Sequence, residues 1–182
     1  MSTELRSAVV LITGVMAAGK STVAGLLAER LPRAAHVRGD TFRRMIVSGR
    51  EEMLPEATEE ATAQLDLRQR LSAMVADEYA RDGWTAIVQD IVIGPDLSRF
   101  VTRVRTRPLY VVVLAPSPDA VRSREEARPK TGYGLWTVEA LDHGLRAETE
   151  RIGLWLDTTG QTPQETVSAI LADLPAALVT RG

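Results

Sequence analysis

The sequence predicts an α/β fold in which a five-stranded parallel sheet is flanked by helices. Five largely apolar runs alternate with segments of helical periodicity, and these runs span residues 8–14, 35–40, 85–94, 109–116 and 152–160. Apolar runs without polar alternation are typical of strands that are buried on both faces. A helix between consecutive runs supplies the crossover that parallel strands need. At 182 residues the chain is most simply one domain, spanning residues 1–182.

The helices are predicted from apolar periodicity and from capping residues. Ser117 followed by Pro118 indicates a helix start, and Thr162, Pro163 and Glu165 form the pattern of a capping box. The predicted helical segments are 20–31, 41–53, 56–83, 96–106, 117–128, 137–150 and 162–174.

Composition narrows the classes of partner. The formal net charge is −2, which gives no reason to expect a nucleic-acid or membrane partner. The chain has no cysteine, which excludes disulfides and thiolate zinc sites and is compatible with a reducing compartment. Its first residues lack the apolar core of a signal peptide. We therefore expect a cytoplasmic protein that is a monomer or a homodimer.

The stretch GVMAAGKST, residues 14–22, fits the phosphate-binding pattern G-x-x-x-x-G-K-[ST] at every fixed position. It follows a predicted buried strand and begins a predicted helix, as the pattern requires. Backbone N–H groups at such a helix start bind phosphate oxygens, while Lys20 reaches the β- and γ-phosphates and Ser21 ligates Mg²⁺. The residues predicted to bind ATP and Mg²⁺ here are Gly14, Ala17, Ala18, Gly19, Lys20, Ser21 and Thr22.

The remaining motifs do not support a GTPase. Residues 157–160, DTTG, match the GTPase pattern D-x-x-G, but they lie some 140 residues after the phosphate loop, and no N-K-x-D follows. Ligands of parallel sheets bind beyond the carboxyl ends of the strands, so the residues that follow each strand carry the functional prediction.

Asp40 ends the predicted second strand, where a carboxylate faces the γ-phosphate across the cleft. There it can orient or deprotonate an attacking hydroxyl. Arg43 lies on the first turn of the next helix and can hold a polar or anionic group of the acceptor, whereas Arg44 is expected to face solvent. An alternative role for Asp40 is the N-cap of that helix, and the two roles are compatible.

Residues 122–136 are predicted to form a mobile lid, because RSREEARPKTGYG joins arginines to a segment that contains proline and glycine. Arg124 and Arg128 are four residues apart and share a helix face. From a closed lid they can neutralise charge on the transferring phosphoryl group. The alternative is that they pair with Glu125 and Glu126 on an exposed helix surface.

Asp90 ends the predicted third strand, and its carboxylate can hold Mg²⁺ through water or bind a hydroxyl of the acceptor. A buried polar network is the alternative role. Gln89 is expected to alternate to the other face of the strand.

The segments expected to line the acceptor site are apolar or aromatic, which favours a partly apolar acceptor that carries a hydroxyl group. Tyr133 and Trp136 follow the lid arginines and are candidate acceptor contacts. The other candidates fit a hydrophobic core equally well, and they are Met45, Ile46, Met53, Leu54, Ile91, Val92 and Ile93.

Nearly the whole chain resembles the small P-loop kinases of the nucleoside monophosphate kinase superfamily, and within it the chloramphenicol phosphotransferase-like group. The resemblance rests on the phosphate loop and on the motifs VRGD, IVQDIVIGP, REEAR and DTTGQTPQETVSAIL. Gluconate, shikimate and adenylylsulfate kinases share part of these features. In the chloramphenicol-directed members the third strand ends in paired acids, whereas the first of the pair is Gln89 here.

The resemblance implies roles for individual residues. Asp40 is similar to the catalytic aspartate that deprotonates the acceptor hydroxyl. Lys20, Ser21, Arg124 and Arg128 match the phosphate, Mg²⁺ and lid positions. The loop after Asp157 looks like the segment that packs on the adenine base, with Thr159, Gly160 and Thr162 as its candidate contacts.

These observations together predict a kinase that moves the γ-phosphoryl group of ATP to a hydroxyl of a small molecule, for example an antibiotic or a secondary metabolite. The alternatives are a metabolic kinase for a nucleotide, gluconate-like or shikimate-like acceptor, and a regulatory switch driven by nucleotide hydrolysis.

Overall fold

A computed structural model describes residues 5–127 and 134–180. Its five strands form one parallel sheet in the order β2-β3-β1-β4-β5, as the sequence predicts. The strands are β1 (Val9–Gly14), β2 (Ala34–Arg38), β3 (Thr85–Gln89), β4 (Leu109–Leu114) and β5 (Leu154–Leu156). Every residue of β1 and β4 is buried, which explains their unbroken apolar runs.

The strand register brings the carboxyl ends together at one edge. Ile12 of β1 is opposite Gln89 of β3, which is in turn opposite Arg38 of β2. On the other side of β1, Gly14 is opposite Leu114 of β4. Residues that follow these four strands therefore converge on one cleft.

Helices cover both faces of the sheet, and their bounds differ from the sequence prediction in places. They are α1 (Lys20–Glu29), α2 (Gly39–Arg44), α3 (Glu59–Arg81), α4 (Pro95–Arg103), α5 (Pro118–Glu126), α6 (Val138–Ala147), α7 (Pro163–Ala172) and α8 (Leu174–Ala177). The predicted caps at Ser117 and Thr162 are confirmed, and Thr162 forms a full capping box with Glu165. In the part of the chain that the structure describes, no helix has the length and apolar character needed to cross a membrane.

Two predicted elements beside the cleft are shorter than expected, as is the fifth strand, which was predicted over 152–160 and spans only Leu154–Leu156. The helix predicted over 41–53 ends at Arg44, and residues 45–58, which include Gly49 with a positive φ of 75°, form an irregular segment. The third strand, predicted over 85–94, ends at Gln89. Both changes leave the irregular backbone beside the cleft. The predicted lid includes residues 128–133, which lie outside the described residues.

The turn from β2 into α2 depends on close approach to Asp90. A Cβ on Gly39 would lie 1.9 Å from Asp90 Oδ2, a separation that no side chain tolerates. Glycine at this position therefore lets the two strand ends pack against each other, one residue before Asp40.

The substitution Gly39→Ala is expected to destabilise the fold by about 1–3 kcal/mol through overpacking. The matched control is Gly25→Ala in α1, where an added Cβ meets no atom within 4 Å. Because alanine is a better helix former than glycine, this control is expected to stabilise by about 0.5–1 kcal/mol. Chemical denaturation measures both, and equal effects of the two substitutions would contradict the packing argument.

Candidate active site

The phosphate loop has the backbone that its sequence predicts. Gly14 has φ 143°, and a Cβ there would lie 2.4 Å from the carbonyl oxygen of Leu114, so only glycine fits. Lys20 is 7% exposed, and its Nζ donates a hydrogen bond of 2.6 Å to the Val15 carbonyl. The lysine is thus folded over the loop, at the start of α1, where a phosphate chain would lie.

Ser21 contacts a residue that the sequence analysis placed elsewhere. Its Oγ donates a hydrogen bond of 3.1 Å to Gln89 Oε1. Gln89 was expected on the other face of the strand, but the structure places it in the cleft beside the phosphate loop. Gln89 and Asp90 both face the cleft because β3 ends at Gln89. The alternation of side chains between the two faces of the sheet therefore does not continue from Gln89 to Asp90.

Asp90 is held by a buried ion pair. Its side chain is 1% exposed, and its carboxylate accepts a hydrogen bond of 2.7 Å from Arg68 Nε, a second from Arg68 Nη2, and one of 2.7 Å from the Ile91 N–H. Arg68 comes from α3 and is 16% exposed. These contacts match the buried-network alternative for Asp90. Its contact with Mg²⁺ or the acceptor stays a prediction.

Asp40 lies inside α2, and a side-chain cap hydrogen bond is absent at Arg38, the N-cap of this described helix. The Asp40 side chain is 44% exposed and faces the cleft. Arg44 Nη2 lies 2.8 Å from Asp40 Oδ2, and Arg43 Nη1 lies 3.8 Å from Asp40 Oδ1. Asp40 therefore does not act as the N-cap in this structure. Arg44 is 63% exposed, as predicted, but it also pairs with the Asp40 carboxylate.

One cavity of about 840 Å³ joins the phosphate loop to the acceptor region. The predicted site residues that line this cavity are Ala17, Gly19, Lys20, Ser21, Thr22, Asp40, Arg43, Asp90 and Arg124. The far half is more apolar and is lined by Ile46, Met53, Leu65, Ile91, Ile93 and Trp136. Its size suits a small ligand beside a nucleotide.

Arg124 links α5 to the loop after β5. Its Nη2 donates hydrogen bonds to the carbonyl oxygens of Thr158, at 2.6 Å, and Thr159, at 3.4 Å. The Thr159 hydroxyl and backbone N–H both donate to Asp157, and these bonds lower the pKa of that carboxyl. The helix that carries the predicted lid arginine and the loop expected to pack on the adenine base are therefore joined in this structure.

The other predicted site residues fall into two groups. Arg128 and Tyr133 lie outside the described residues. Gly160 and Thr162 follow the Asp157 loop, and the Thr162 hydroxyl is engaged in capping α7. Within residues 5–127 and 134–180, no three histidine, cysteine or acidic side chains cluster as a metal site.

His36 of β2 lies near Gln89 and is half-buried. Burial lowers its pKa, the charge of Arg38 lowers it further, and the Gln89 side chain opposes the shift. His36 is therefore neutral at physiological pH, and it contributes no cation to the cleft.

This lowered pKa predicts a pH dependence of stability. Below its ordinary value of 6.5 the unfolded chain takes up a proton that the folded His36 resists. The free energy of unfolding is thus expected to fall as the pH drops from about 7.5 to 5.5, and less steeply in His36→Gln. Denaturation at several pH values measures the slopes, and an unchanged slope in His36→Gln would refute the assignment.

Arg68→Met is expected to cost about 3–5 kcal/mol of stability, because it leaves the Asp90 carboxylate buried without its partner. Arg70→Met is the matched control on the same helix, since Arg70 forms an exposed ion pair with Asp66. That pair is worth less than about 1 kcal/mol. Thermal and chemical denaturation compare the two, and a loss below 1 kcal/mol for Arg68→Met would argue against a structural role for the pair.

Comparisons with known proteins agree with this architecture. The APS kinase of Mycobacterium tuberculosis, solved with AMPPNP and APS, is 21% identical, with a TM-score of 0.68 over 93% of this chain and 98% of that chain. The tunicamycin resistance protein of Deinococcus radiodurans is 19% identical, with a TM-score of 0.66 over 95% and 98%. A gluconokinase of Sinorhizobium meliloti is 18% identical, with a TM-score of 0.63 over 93% and 92%.

Likeness at these identities shows a shared α/β P-loop kinase fold and nothing finer. No curated protein matches the chain significantly. A model of the AAA domain family matches residues 9–150, which include β1 to β4, the phosphate loop and the Asp40 region. Because this match covers most of the sequence, the chain belongs to that AAA domain family.

Proposed function

We propose that this protein is an ATP-dependent phosphotransferase that moves the γ-phosphoryl group to an alcohol group of a small, partly apolar molecule. The observation that carries the proposal is that Lys20, Ser21 and Asp40 line the same cavity. A triphosphate on the loop would point its γ-phosphate toward that carboxylate. The kinase fold of the structural neighbours supports the same reading.

The proposed step is an in-line displacement. The acceptor hydroxyl oxygen forms a bond to the γ-phosphorus, while the bond from that phosphorus to the β,γ-bridging oxygen breaks and ADP leaves with the electron pair. Asp40 accepts the hydroxyl proton or orients the hydroxyl for attack. Lys20 places positive charge beside the β- and γ-phosphates. Arg124, and Arg128 from the lid, would add charge as the lid closes.

The residues present fit a magnesium ion. Ser21 Oγ and Gln89 Oε1 are hard oxygen donors 3.1 Å apart beside the phosphate loop. Mg²⁺ keeps several waters and is held largely by phosphates, so two neutral protein oxygens are sufficient support. When bound, the ion neutralises charge on the phosphates. Asp90, bound to Arg68, would act by positioning the neighbouring backbone.

The apolar half of the cavity supports an amphipathic acceptor such as an antibiotic or a secondary metabolite. The resemblance to the chloramphenicol phosphotransferase-like group agrees with this, and one structural neighbour is a tunicamycin resistance protein. A metabolic acceptor is the second candidate, because other neighbours are an APS kinase and a gluconokinase. We propose that the enzyme acts in the cytoplasm as a monomer or homodimer.

The proposal is tested by mass spectrometry of the protein with ATP, Mg²⁺ and a pool of hydroxylated compounds. The pool contains phenicols, other antibiotics, nucleosides, nucleotides and sugar acids. One member gaining the mass of a phosphoryl group is the expected result. ADP formation without any phosphorylated member would favour a hydrolysis-driven switch.

Asp40→Asn is expected to lower the transfer rate about 10²–10⁴-fold while ATP affinity is kept, because a general base acts only on the acceptor. Lys20→Ala should weaken both ATP binding and transfer, since the lysine contacts the triphosphate. Asp82→Asn, at a carboxylate that is 82% exposed and absent from the cavity lining, is the control. ATP titration and product formation measure the two effects, and full turnover in Asp40→Asn would remove Asp40 from the mechanism.

A further inference from the structure

We propose that the acceptor carries no anionic group, and that Glu52 enforces this preference. The inference rests on the proposed function, because it concerns the second half of the same cavity. It narrows the acceptor to an uncharged or cationic amphipathic alcohol. This class differs from acceptors with a phosphate, sulfate or carboxylate near the reacting hydroxyl.

The acceptor half of the cavity is acidic. On this side of the cavity the described lining includes five carboxylates and two guanidinium groups, and two of the carboxylates also pair with arginines outside the lining, Asp40 with Arg44 and Asp96 with Arg99. The carboxylates are Asp40, Glu51, Glu52, Asp90 and Asp96, and the guanidinium groups are Arg43 and Arg68. Lys20 and Arg124 lie on the side of the phosphate loop and the Asp157 loop. Four of the five carboxylates thus have an arginine partner, so an anionic acceptor would meet no guanidinium group on this side of the described lining that is not already bound to a carboxylate.

Both guanidinium groups are already matched by carboxylates. Arg43 Nη2 is in close contact with Glu52 Oε2, and its Nη1 faces Asp40. Arg68 is bound by Asp90 through two nitrogen atoms. Arg43 was predicted to bind a polar or anionic group of the acceptor. In the structure, Glu52 supplies the anion that binds Arg43.

Glu52 is held in the cavity wall by its neighbours on both sides. The Glu51 N–H donates a hydrogen bond of 3.0 Å to Gln64 Oε1 of α3. The Met53 carbonyl accepts one of 2.8 Å from Trp136 Nε1. These bonds hold the backbone on both sides of Glu52, while its side chain, 62% exposed, reaches Arg43 from the solvent side of the wall. An anionic acceptor group that bound Arg43 would have to displace the Glu52 carboxylate and would remain close to it. Repulsion between the two negative charges would therefore disfavour anionic acceptors.

Glu51 adds a reason to include cationic acceptors. Its carboxylate accepts a hydrogen bond from Thr58, and in residues 5–127 and 134–180 no lysine or arginine forms a salt bridge with it. A carboxylate at the cavity surface can accept hydrogen bonds from an amine or a hydroxyl of the acceptor. Trp136, Met53 and Ile46 supply apolar surface beside it.

The test uses three benzyl alcohol probes of equal size that differ in charge. They are para-(hydroxymethyl)benzoate, para-(hydroxymethyl)benzamide and para-(aminomethyl)benzyl alcohol. Binding to the full chain is measured by calorimetry with Mg²⁺ and a non-hydrolysable ATP analogue present, so that the phosphate loop is filled. The variants are Glu52→Gln and the control Glu56→Gln, which is exposed, lies in the same segment and does not line the cavity.

The wild type is expected to bind the carboxylate probe at least about tenfold more weakly than the amide, because like charges face each other. Glu52→Gln should shrink this gap to about threefold or less, whereas Glu56→Gln should keep it. A carboxylate probe that binds the wild type as tightly as the amide overturns the proposal, as does a gap that Glu52→Gln leaves unchanged. Failure of all three probes to bind also overturns it.

Transfer is read separately from binding in the same set. With ATP in place of the analogue, mass spectrometry follows phosphorylation of each probe. Binding of the probes without any phosphorylated product would refute the phosphotransferase proposal. The order of affinities for the anionic, neutral and cationic probes would still test the charge preference. Rapid phosphorylation of the carboxylate probe by the wild type would instead support the enzyme and refute the charge preference.

Discussion

The buried ion pair between Arg68 and Asp90 organises the acceptor side of the cleft. Asp90 follows the last residue of β3 and is almost fully buried, so its carboxylate must be paired. The carboxylate packs against the neighbouring chain turn so closely that only glycine fits at position 39. Asp40 comes one residue later and faces the cavity. The requirement to pair one buried charge therefore sets the position of the candidate base.

The sheet order gives the cleft its two sides. β1 is central, so the phosphate loop that follows it lies between the ends of β3 and β4. On the β3 and β2 side are Gln89, Asp40 and Arg43, which line the cavity where we propose that the acceptor binds. On the β4 and β5 side, α5 is joined by Arg124 to the loop after Asp157, where the base of a nucleotide would lie. In the proposed reaction, the phosphoryl group would move between these two sides at the end of the buried strand β1.

The sequence predicted the strands, the phosphate loop and the capped helices well, because each depends on local periodicity or on a residue in its own segment. The sequence did not predict the irregular segment 45–58 or the contact between Ser21 and Gln89. Both depend on the residue at which a helix or strand ends. The Arg68–Asp90 and Arg43–Glu52 pairs join residues 22 and 9 positions apart across different segments. Charge alone could not assign partners among so many arginines and acids.

The most direct test of the account is a crystal structure with Mg²⁺ and a non-hydrolysable ATP analogue bound. The account predicts the γ-phosphate at the end of the phosphate loop, facing Asp40. The space between the γ-phosphate and the Asp40 carboxylate should admit one hydroxyl oxygen. That oxygen should lie in line with the γ-phosphorus and about 3 Å from the Asp40 carboxylate. A γ-phosphate that points away from Asp40, or a carboxylate that stays turned toward Arg44 with no room for a hydroxyl, would contradict the central claim.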